Sequence, residues 1–407
     1  MELCYDFVSP PRIVFGWGRR REVGGLARSL GQRAFIVHGS RTLERAGHLA
    51  ELSDQLRQAG VEPIELTRIS REPLVEDVDR AAQHLRVGLR AETDLIVAIG
   101  GGAAIDLGKA LAAMATNTEG DSVRDYLEGV GRGLALTARP LPVLAMPTTA
   151  GTGSEATKNA VISNHEPAFK KSLRSLQMVP RIALVDPELG VTAPPEVTAA
   201  SGMDTVTQLI ESYLSRKAQP IPQALCVQGL RLAFPAVREA VHDGTSRSAR
   251  EAMSHAALLS GLALANSGLG MAHGVAAALG VHCNIPHGLA CAVMLPVTLQ
   301  TNRAPCSAEM ADLARLCGIE AATTDAAIED FIMQIRDINA EIGIPARLSE
   351  LGVRRDQVSA IVAGSRGNSM SGNPVDVSCD SGGRALPGVA ADHAVRTDPS
   401  GRSQSGG

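Results

Sequence analysis

The sequence predicts a doubly wound α/β domain followed by an all-helical domain. In the first half of the 407-residue chain, short apolar runs alternate with amphipathic segments, which is typical of parallel βαβ units. From about Pro194 onward, long runs rich in Ala and Leu with helical spacing replace this alternation. A chain of this length can also build two cores. We therefore expect an α/β domain over residues 1–192 and an all-helical domain over residues 193–374.

The elements of the first half follow from apolar runs bounded by turn residues. Residues Ala34–Val37 predict the first strand, and a helix is expected over Leu43–Ala59 with Gly60 as its natural stop. The further predicted elements are a strand at Ile64–Leu66, a helix at Val75–Leu85, and strands at Leu95–Gly100 and Leu141–Met146.

The last segment, residues 375–407, is dominated by Gly, Ser, Asp, Arg and Pro, so it predicts a disordered, atypical tail.

Charge gives no sign of a nucleic-acid partner or of an anionic membrane surface. The net charge is -4, and no long basic run occurs. Residues Ala252–Asn302 contain no Asp, Glu, Lys or Arg, and this length could suggest a membrane span. Because Asn266, Asn284, Pro286 and four histidines interrupt the stretch, buried helices are the preferred interpretation. We expect no nucleic-acid and no membrane partner.

The N-terminus and the cysteines favour a cytoplasmic location. Met1–Gly16 lacks the charged start and the unbroken apolar core of a signal peptide. The seven cysteines are odd in number and scattered, with no C-x-x-C pair. This argues against a disulfide framework or a thiolate zinc site, and it fits a reduced environment.

Two glycine-rich turns follow predicted strands and suit a dinucleotide. In Gly100–Lys109 a strand leads through three glycines into a helix, so backbone N–H groups can approach a phosphate. A tight turn without a ligand would look the same in sequence. The second turn, Pro147–Glu155, adds hydroxyl groups, and ligands of open parallel sheets bind at the carboxyl ends of strands. The candidate cofactor-binding residues are Gly39, Ser40, Gly100, Gly101, Gly102, Asp106, Thr148, Thr149, Thr152 and Ser154.

The turn after the first predicted strand bears on the choice between NADH and NADPH. An acidic residue there would bind the ribose hydroxyls of NADH and repel a 2′-phosphate. The sequence instead has Gly39, Ser40 and Arg41. NADPH is therefore allowed and is the preferred expectation, although Arg41 could also simply point to solvent.

Polar residues in the second half predict a metal site. Asp204, Gln208 and Glu211 follow one another at helical spacing and share one face. His273 and His287 lie in the uncharged stretch. A buried carboxylate is costly unless it is paired or metal-bound, and a carboxylate with two imidazoles suits Fe(II) or Zn(II). For any one of these residues alone, a hydrogen-bonded core position or a solvated helix face is the commoner situation.

These motifs resemble the iron-containing (group III) alcohol dehydrogenases. Gly100–Lys109 is similar to the family signature GGGSxIDxAK, and Pro147–Glu155 matches PTTAGTGSE. Val185–Leu189 and Gly202–Asp204 match its central motifs, and Pro286–Gly288 matches a C-terminal one. The resemblance extends from about residue 8 to residue 374. It implies a metal in the cleft between the two domains, a nicotinamide cofactor, and a homodimer or larger homo-oligomer.

The family usually binds its metal through one Asp and three His. By motif position, these ligands fall on Asp204, Gln208, His273 and His287, so one histidine is replaced by Gln208. A branch of the family carries Gln at this position, which argues against simple inactivation. A further family histidine corresponds to Ala277, and the tail after residue 374 does not resemble the family's. His282 and Cys283 could replace the missing histidine, although core packing is the preferred role for both.

The function predicted from the sequence is a metal-dependent, NAD(P)-linked alcohol dehydrogenase or carbonyl reductase. Its expected substrate is a small alcohol, aldehyde or oxo-acid, and Fe(II) is the first choice of metal, with Zn(II) second. No catalytic residue beyond the metal site is predicted, and Glu211 is expected either to orient a ligand or to lie on the helix surface. The alternatives are a polyol dehydrogenase or sugar-phosphate lyase of the same fold, and a nucleotide-binding pseudoenzyme with a degraded metal site.

Overall fold

The computed structural model of the protein describes residues 4–39 and 41–377. Ser40 and most of the predicted tail, residues 378–407, therefore lie outside the described residues. The strands are β1 (Arg12–Phe15), β2 (Arg33–His38), β3 (Glu62–Arg68), β4 (Asp94–Gly100), β5 (Val143–Pro147), β6 (Asn159–His165), β7 (Ala168–Arg174) and β8 (Ile182–Val185).

The helices of the N-terminal part lie between these strands, and those of the C-terminal part follow β8. The first group is α1 (Val23–Arg28), α2 (Arg41–Arg45), α3 (His48–Gln58), α4 (Val75–Arg86) and α5 (Gly102–Thr116). The second group is α6 (Pro195–Leu214), α7 (Pro220–His242), α8 (Arg247–Ser267), α9 (Met271–Cys283), α10 (His287–Asn302), α11 (Ser307–Leu316), α12 (Thr324–Glu341) and α13 (Val358–Gly364).

Six of the strands form one parallel sheet in the order β1-β8-β5-β4-β2-β3. Side chains of a strand alternate between the two faces of its sheet. Ile96 and Ala98 of β4 accordingly enter the core on one face, and Leu95 and Val97 enter the core on the other. Helices cover both faces, which confirms the predicted doubly wound α/β architecture.

The C-terminal part is helical, as predicted, and has a large core of its own. Its first helix, α6, begins at Pro195, while the exact division at residues 192 and 193 stays a prediction. Among the described helices, none alone is long and apolar enough to cross a membrane. The pair α8 and α9 meets that criterion only together, and it is bent by 99° at its break.

Two features differ from the expected elements. The helix expected over Leu43–Ala59 is two helices, α2 and α3, because Gly47 between them adopts a left-handed conformation with φ 78°. The antiparallel hairpin β6–β7 was not predicted. On this hairpin, Ala160 and Leu173 pack into the core, whereas Asn159 and Ser172 line a cavity that is described below.

Candidate metal and cofactor site

The turns after β2, β4 and β5 lie side by side because these three strands are neighbours. Gly39 donates its N–H to the carbonyl of Ile99, and Thr148 donates to the carbonyl of Gly100, both at 2.9 Å. Gly100 has φ 152°, and a Cβ atom there would lie 3.0 Å from Cα of Gly39. Only glycine tolerates this backbone conformation and this close approach. The structure thus brings Gly39, Gly100 and Thr148 to one edge of the sheet.

The rest of the first turn faces the threonines of the second. A Cβ atom on Gly101 would lie 3.5 Å from Oγ1 of Thr149, and one on Gly102 would lie 2.5 Å from Oγ1 of Thr152. Gly101 is the N-cap of α5, so the free N–H groups of the first helical turn and the threonine hydroxyls meet at one place. Such a place suits an anion such as a pyrophosphate.

Asp106 and Ser154 have a positioning role in this structure. The hydroxyl of Ser154 donates to Asp106 Oδ1, and the N–H of Val161 donates to Asp106 Oδ2 at 2.9 Å. The ammonium group of Lys109, which is fully buried, donates to both the carbonyl (2.9 Å) and the hydroxyl (2.8 Å) of Ser154 and pairs with Asp106 at 3.0 Å. These contacts hold α5, the second turn and β6 together.

A cluster of potential metal ligands lies in the helical part. One ligand atom from each of four side chains lies within 4.8 Å of the others, and these side chains belong to Asp204, His273, His287 and Cys291. Asp204 comes from the middle of α6, His273 from the first turn of α9, and the other two from the first two turns of α10. The structure thus brings together three of the four predicted ligands and adds a thiol that the sequence analysis missed.

Close packing of α10 against α6 produces this convergence. A Cβ atom on Gly288 would lie 2.5 Å from the carbonyl oxygen of Ala200 and 3.3 Å from Cβ of Asp204. Only glycine allows the two backbones to approach so closely. His287 and Cys291 are one helical turn apart and therefore share the face that meets Asp204. The one available sequence signal for Cys291 was its position four residues after a predicted ligand.

Glu211 orients His273. Its carboxylate accepts from Nδ1 of His273 at 2.7 Å and from the N–H groups of Gly270 (3.0 Å) and Ala272 (2.6 Å). The other ring nitrogen of His273, Nε2, lies 3.2 Å from Asp204 Oδ1. Glu211 is buried, which excludes the alternative of a helix-surface role. A carboxylate behind a histidine is the usual way to fix the ring for metal binding.

Gln208 lies beside the cluster and is engaged on both sides. Its amide oxygen accepts from the hydroxyl of Ser260 at 2.7 Å, and its amide nitrogen donates to Asp204 Oδ2 at 3.1 Å. Gln208 therefore contacts a predicted ligand directly. Its own role as a ligand stays a prediction.

The protonation states follow from burial and from the neighbouring charges. Burial lowers the pKa of His287 to about 4, so its imidazole is neutral at pH 7. Burial alone would also lower the pKa of His273, but Cys291, Asp204 and Glu211 outweigh it and raise that pKa well above its ordinary value. For Asp204, burial alone would raise the pKa, and contacts with His273, His287 and Cys291 reverse the shift.

The residues present fit a divalent metal. Nδ1 of His287 is buried and has no hydrogen-bond partner among the described residues. A carboxylate, two imidazoles and a thiol are the donor types that Fe(II) and Zn(II) take in proteins. A bound cation would also offset the cost of gathering these polar groups in an uncharged interior.

One cavity of about 500 Å³ connects the two sets of residues. On the α/β side it is lined by Gly102, Asp106, Thr152 and Ser154, and on the helical side by Asp204, Gln208, His273 and His287. Gly39, Gly100, Gly101, Thr148 and Thr149 adjoin the cavity lining through the contacts described above but are not part of it.

The hairpin β6–β7 forms a further wall of the cavity. Lys170, Lys171 and Arg174 of β7 line it, and the sequence analysis missed all three. Ala277 lines the cavity, as expected for the position of the replaced histidine. His282 and Cys283 do not line it, and the core packing expected for His282 is wrong because this residue is exposed at the end of α9.

The chain matches two family models. Residues 10–187 match the iron-containing alcohol dehydrogenase model, and residues 198–380 match the C-terminal model of the Fe-containing alcohol dehydrogenase family. The chain is 35% identical over 356 residues to the 1,3-propanediol dehydrogenase of Klebsiella pneumoniae, covering 86% of this chain and 89% of that protein.

Solved structures with similar folds include two relatives of similar identity. The alcohol dehydrogenase from Oenococcus oeni has a TM-score of 0.86 and 30% identity, with 92% of this chain and 97% of that chain covered. The sulfoacetaldehyde reductase from Bifidobacterium kashiwanohense, in complex with NAD+, has a TM-score of 0.81 and 31% identity, with 93% and 96% covered.

The chain belongs to the iron-containing alcohol dehydrogenase family. This membership confirms the predicted enzyme class, an NAD(P)-linked alcohol dehydrogenase or carbonyl reductase with a divalent metal.

Proposed function

We propose that this enzyme interconverts a small alcohol with its aldehyde, ketone or oxo-acid, using a metal held by Asp204, His273 and His287. The observation that carries the proposal is the shared cavity, in which Gly102 and Thr152 face these three side chains across one space of about 500 Å³. A nicotinamide cofactor at the glycine turns and a metal at the cluster would then meet the same substrate.

When bound, the nicotinamide supplies the hydride acceptor or donor, and the metal supplies a Lewis acid for the substrate oxygen. The chain's own residues prepare the site for both groups. Glu211 holds the ring of His273 through Nδ1, which leaves Nε2 directed at Asp204 and the cavity. His287 is neutral at pH 7, so its lone pair is available without loss of a proton.

The dinucleotide site is proposed to consist of Gly39, Ser40, Gly100, Gly101, Gly102, Asp106, Thr148, Thr149, Thr152 and Ser154. The first-turn glycines and the threonines are proposed to contact the pyrophosphate, because helix N-termini and small residues favour an anion. Asp106 and Ser154 hold the second turn in place through their mutual hydrogen bond. Exposed Arg41, at the start of α2, is available for the 2′-phosphate of NADPH.

The test is oxidation of NADPH and of NADH, followed by absorbance, with a panel of small aldehydes, ketones and oxo-acids. The full chain is assayed after metal removal and again after addition of Fe(II) or Zn(II). We expect turnover only in the metal-restored protein, and faster turnover with NADPH. A folded protein that binds nucleotide but turns over no substrate with any metal would contradict the proposal and favour the nucleotide-binding pseudoenzyme.

The assembly and location of the enzyme are further parts of the proposal. We expect a homodimer or larger homo-oligomer, which sedimentation of the purified chain measures directly. We also expect a cytoplasmic enzyme. The six cysteines among the described residues are all free, which agrees with a reducing environment. Fractionation of the source cells tests that location.

A further inference from the structure

We propose that the thiolate of Cys291, and not the amide of Gln208, completes the ligand set of the metal in this protein. This inference rests on the proposed function, because it concerns the same metal. It assigns a ligand on α10 in addition to His287 and gives Gln208 a positioning role. The thiol proton leaves to solvent as the sulfur–metal bond forms, so no oxidant or reductant is needed.

The geometry of the cluster carries the inference. Ligand atoms of Asp204, His273, His287 and Cys291 lie within 4.8 Å of one another. Donors around a tetrahedral Zn(II) lie about 3.5 Å apart, given its bond lengths to nitrogen, oxygen and sulfur. The widest separation therefore needs to close by only about 1 Å. Cys291 is fully buried, and its Sγ lies 3.8 Å from Nε2 of His287.

The surroundings of Gln208 argue against it as the fourth ligand. The end of its amide that faces Asp204 is the nitrogen, which has no lone pair to offer a metal. Its oxygen is directed away, toward the hydroxyl of Ser260. For the oxygen to reach the metal, the amide would have to turn over, which would give up both the hydrogen bond from Ser260 to this oxygen and the hydrogen bond from the amide nitrogen to Asp204. In the present arrangement Gln208 steadies Asp204 through a hydrogen bond instead.

The spacing on α10 supplies the second argument. His287 and Cys291 form an i, i+4 pair, which places two donors on one helix face as in other metal sites built on helices. The pair meets α6 where Gly288 allows close approach to Asp204. With a thiolate, the ligand set carries two negative charges and balances a divalent cation. With Gln208 in its place, the set would carry one.

Co(II) added to the metal-stripped full chain provides the test. A thiolate bound to Co(II) gives an intense near-ultraviolet charge-transfer absorption that Asp, His and Gln ligands do not give. We expect this absorption in the wild-type protein and in Gln208→Ala, and its loss in Cys291→Ala. We also expect Cys291→Ala to bind Co(II) at least about 10-fold more weakly, because even residues behind the ligands contribute that much. Cys226→Ala is the control, since Cys226 is buried elsewhere in the helical core.

Each outcome separates this inference from the proposed function. One Co(II) bound to the wild type without the thiolate absorption overturns the inference, as does an absorption that survives Cys291→Ala. Failure of the wild type to bind Co(II), Zn(II) or Fe(II) overturns the proposed function as well. Circular dichroism of the metal-free variants verifies folding. Cys291→Ser, which restores an oxygen donor, should recover part of the affinity without the absorption.

Discussion

At the scale of single residues, the site depends on a few buried carboxylates whose surroundings differ. Asp204 is surrounded by two histidines, a thiol and an amide, so it is suited to a cation. Glu211 satisfies its oxygens with three N–H groups and a ring nitrogen. Glu155 lies in the second turn and is buried close to the ammonium group of Lys109. These environments lead to three different predictions.

Asp204→Ala should reduce kcat by roughly 1000-fold or more, because the loss of the metal removes several kcal/mol of stabilisation from the substrate oxygen. The dissociation constant for NADPH should stay within about twofold, since the glycine turns lie on the other side of the cavity. Steady-state kinetics and fluorescence titration measure the two quantities. Retained activity in this variant would refute the metal mechanism.

Glu211→Gln should weaken metal binding by about 10- to 100-fold, because the ring of His273 loses its carboxylate partner. Competition with a chromogenic chelator measures the affinity. Glu196→Gln, an exposed site on the same helix, is the matched control and should leave the affinity unchanged. Equal affinities for all three proteins would mean that Glu211 has no orienting role.

Glu155 should make stability depend on pH. Burial raises its pKa from an ordinary 4.5 to about 7, with Lys109 opposing the shift. Between these values the native state holds a proton that the unfolded state has lost, so the free energy of unfolding falls as pH rises. The loss amounts to about 1.4 kcal/mol per pH unit, or about 3 kcal/mol over the window. Urea unfolding of the metal-free protein and of Glu155→Gln from pH 4.5 to 7.5 measures it. A constant difference between the two would contradict the prediction.

The ligands at this scale were predictable only in part. Asp204, His273 and His287 stand out because they are polar residues in a helical, mostly uncharged region and match family motifs. Cys291 does not stand out, because a cysteine in an apolar helix resembles any other small core residue. The partners of Gln208 were equally hidden, since Ser260 lies 52 positions away in sequence.

At the scale of elements, the approach of α10 to α6 decides whether the cluster forms. Gly288→Ala would place a Cβ atom 2.5 Å from the carbonyl oxygen of Ala200 and push the helices apart. We expect a cost of about 1–3 kcal/mol in stability and weaker metal binding. Gly280→Ala is the control, because the nearest atom to its Cβ would lie 3.7 Å away. Thermal unfolding and metal titration of both variants test this, and equal results would contradict it.

The spacing of apolar residues predicted most helices and strands, because it reflects which face of each element packs against the core. The helix Val75–Leu85 was predicted within one residue of α4, and Leu95–Gly100 within one residue of β4. The break between α2 and α3 was missed, because a glycine within a helical pattern does not reveal its backbone conformation. The hairpin was missed because Lys170 and Ser172 on one face line a cavity and Lys171 adds a polar residue to the other face, so the usual apolar alternation is interrupted.

At the scale of the whole molecule, the cavity joins two cores that the sequence predicted separately. Which faces of the two parts meet depends on distant contacts, such as the hydrogen bond from the N–H of Val8 to Asn266, 258 residues away. No pattern within a short stretch of sequence predicts a contact between residues so far apart in the chain. The predicted fold class was therefore within reach of the sequence, whereas the shape of the cleft was not.

Metal removal should lower the unfolding temperature of the whole chain. The metal binds the native cluster alone, so a free concentration 100 times the dissociation constant adds about 2.7 kcal/mol. Differential scanning calorimetry with and without chelator measures the change. In Asp204→Ala, which lacks a metal ligand, neither metal nor chelator should change the unfolding temperature. An identical unfolding temperature for the metal-loaded and stripped wild type would contradict the prediction.

The two faces of the hairpin β6–β7 have different surroundings. Ala160 and Leu173 belong to the core, while Asn159 and Ser172 border the cavity. Mutations on the face that borders the cavity can accumulate without disturbing the packing of the other face, and they do not change the metal ligands or the glycine turns. Descendants of one ancestral enzyme can therefore acquire new substrates by exchanging this one wall while the reaction chemistry is inherited intact.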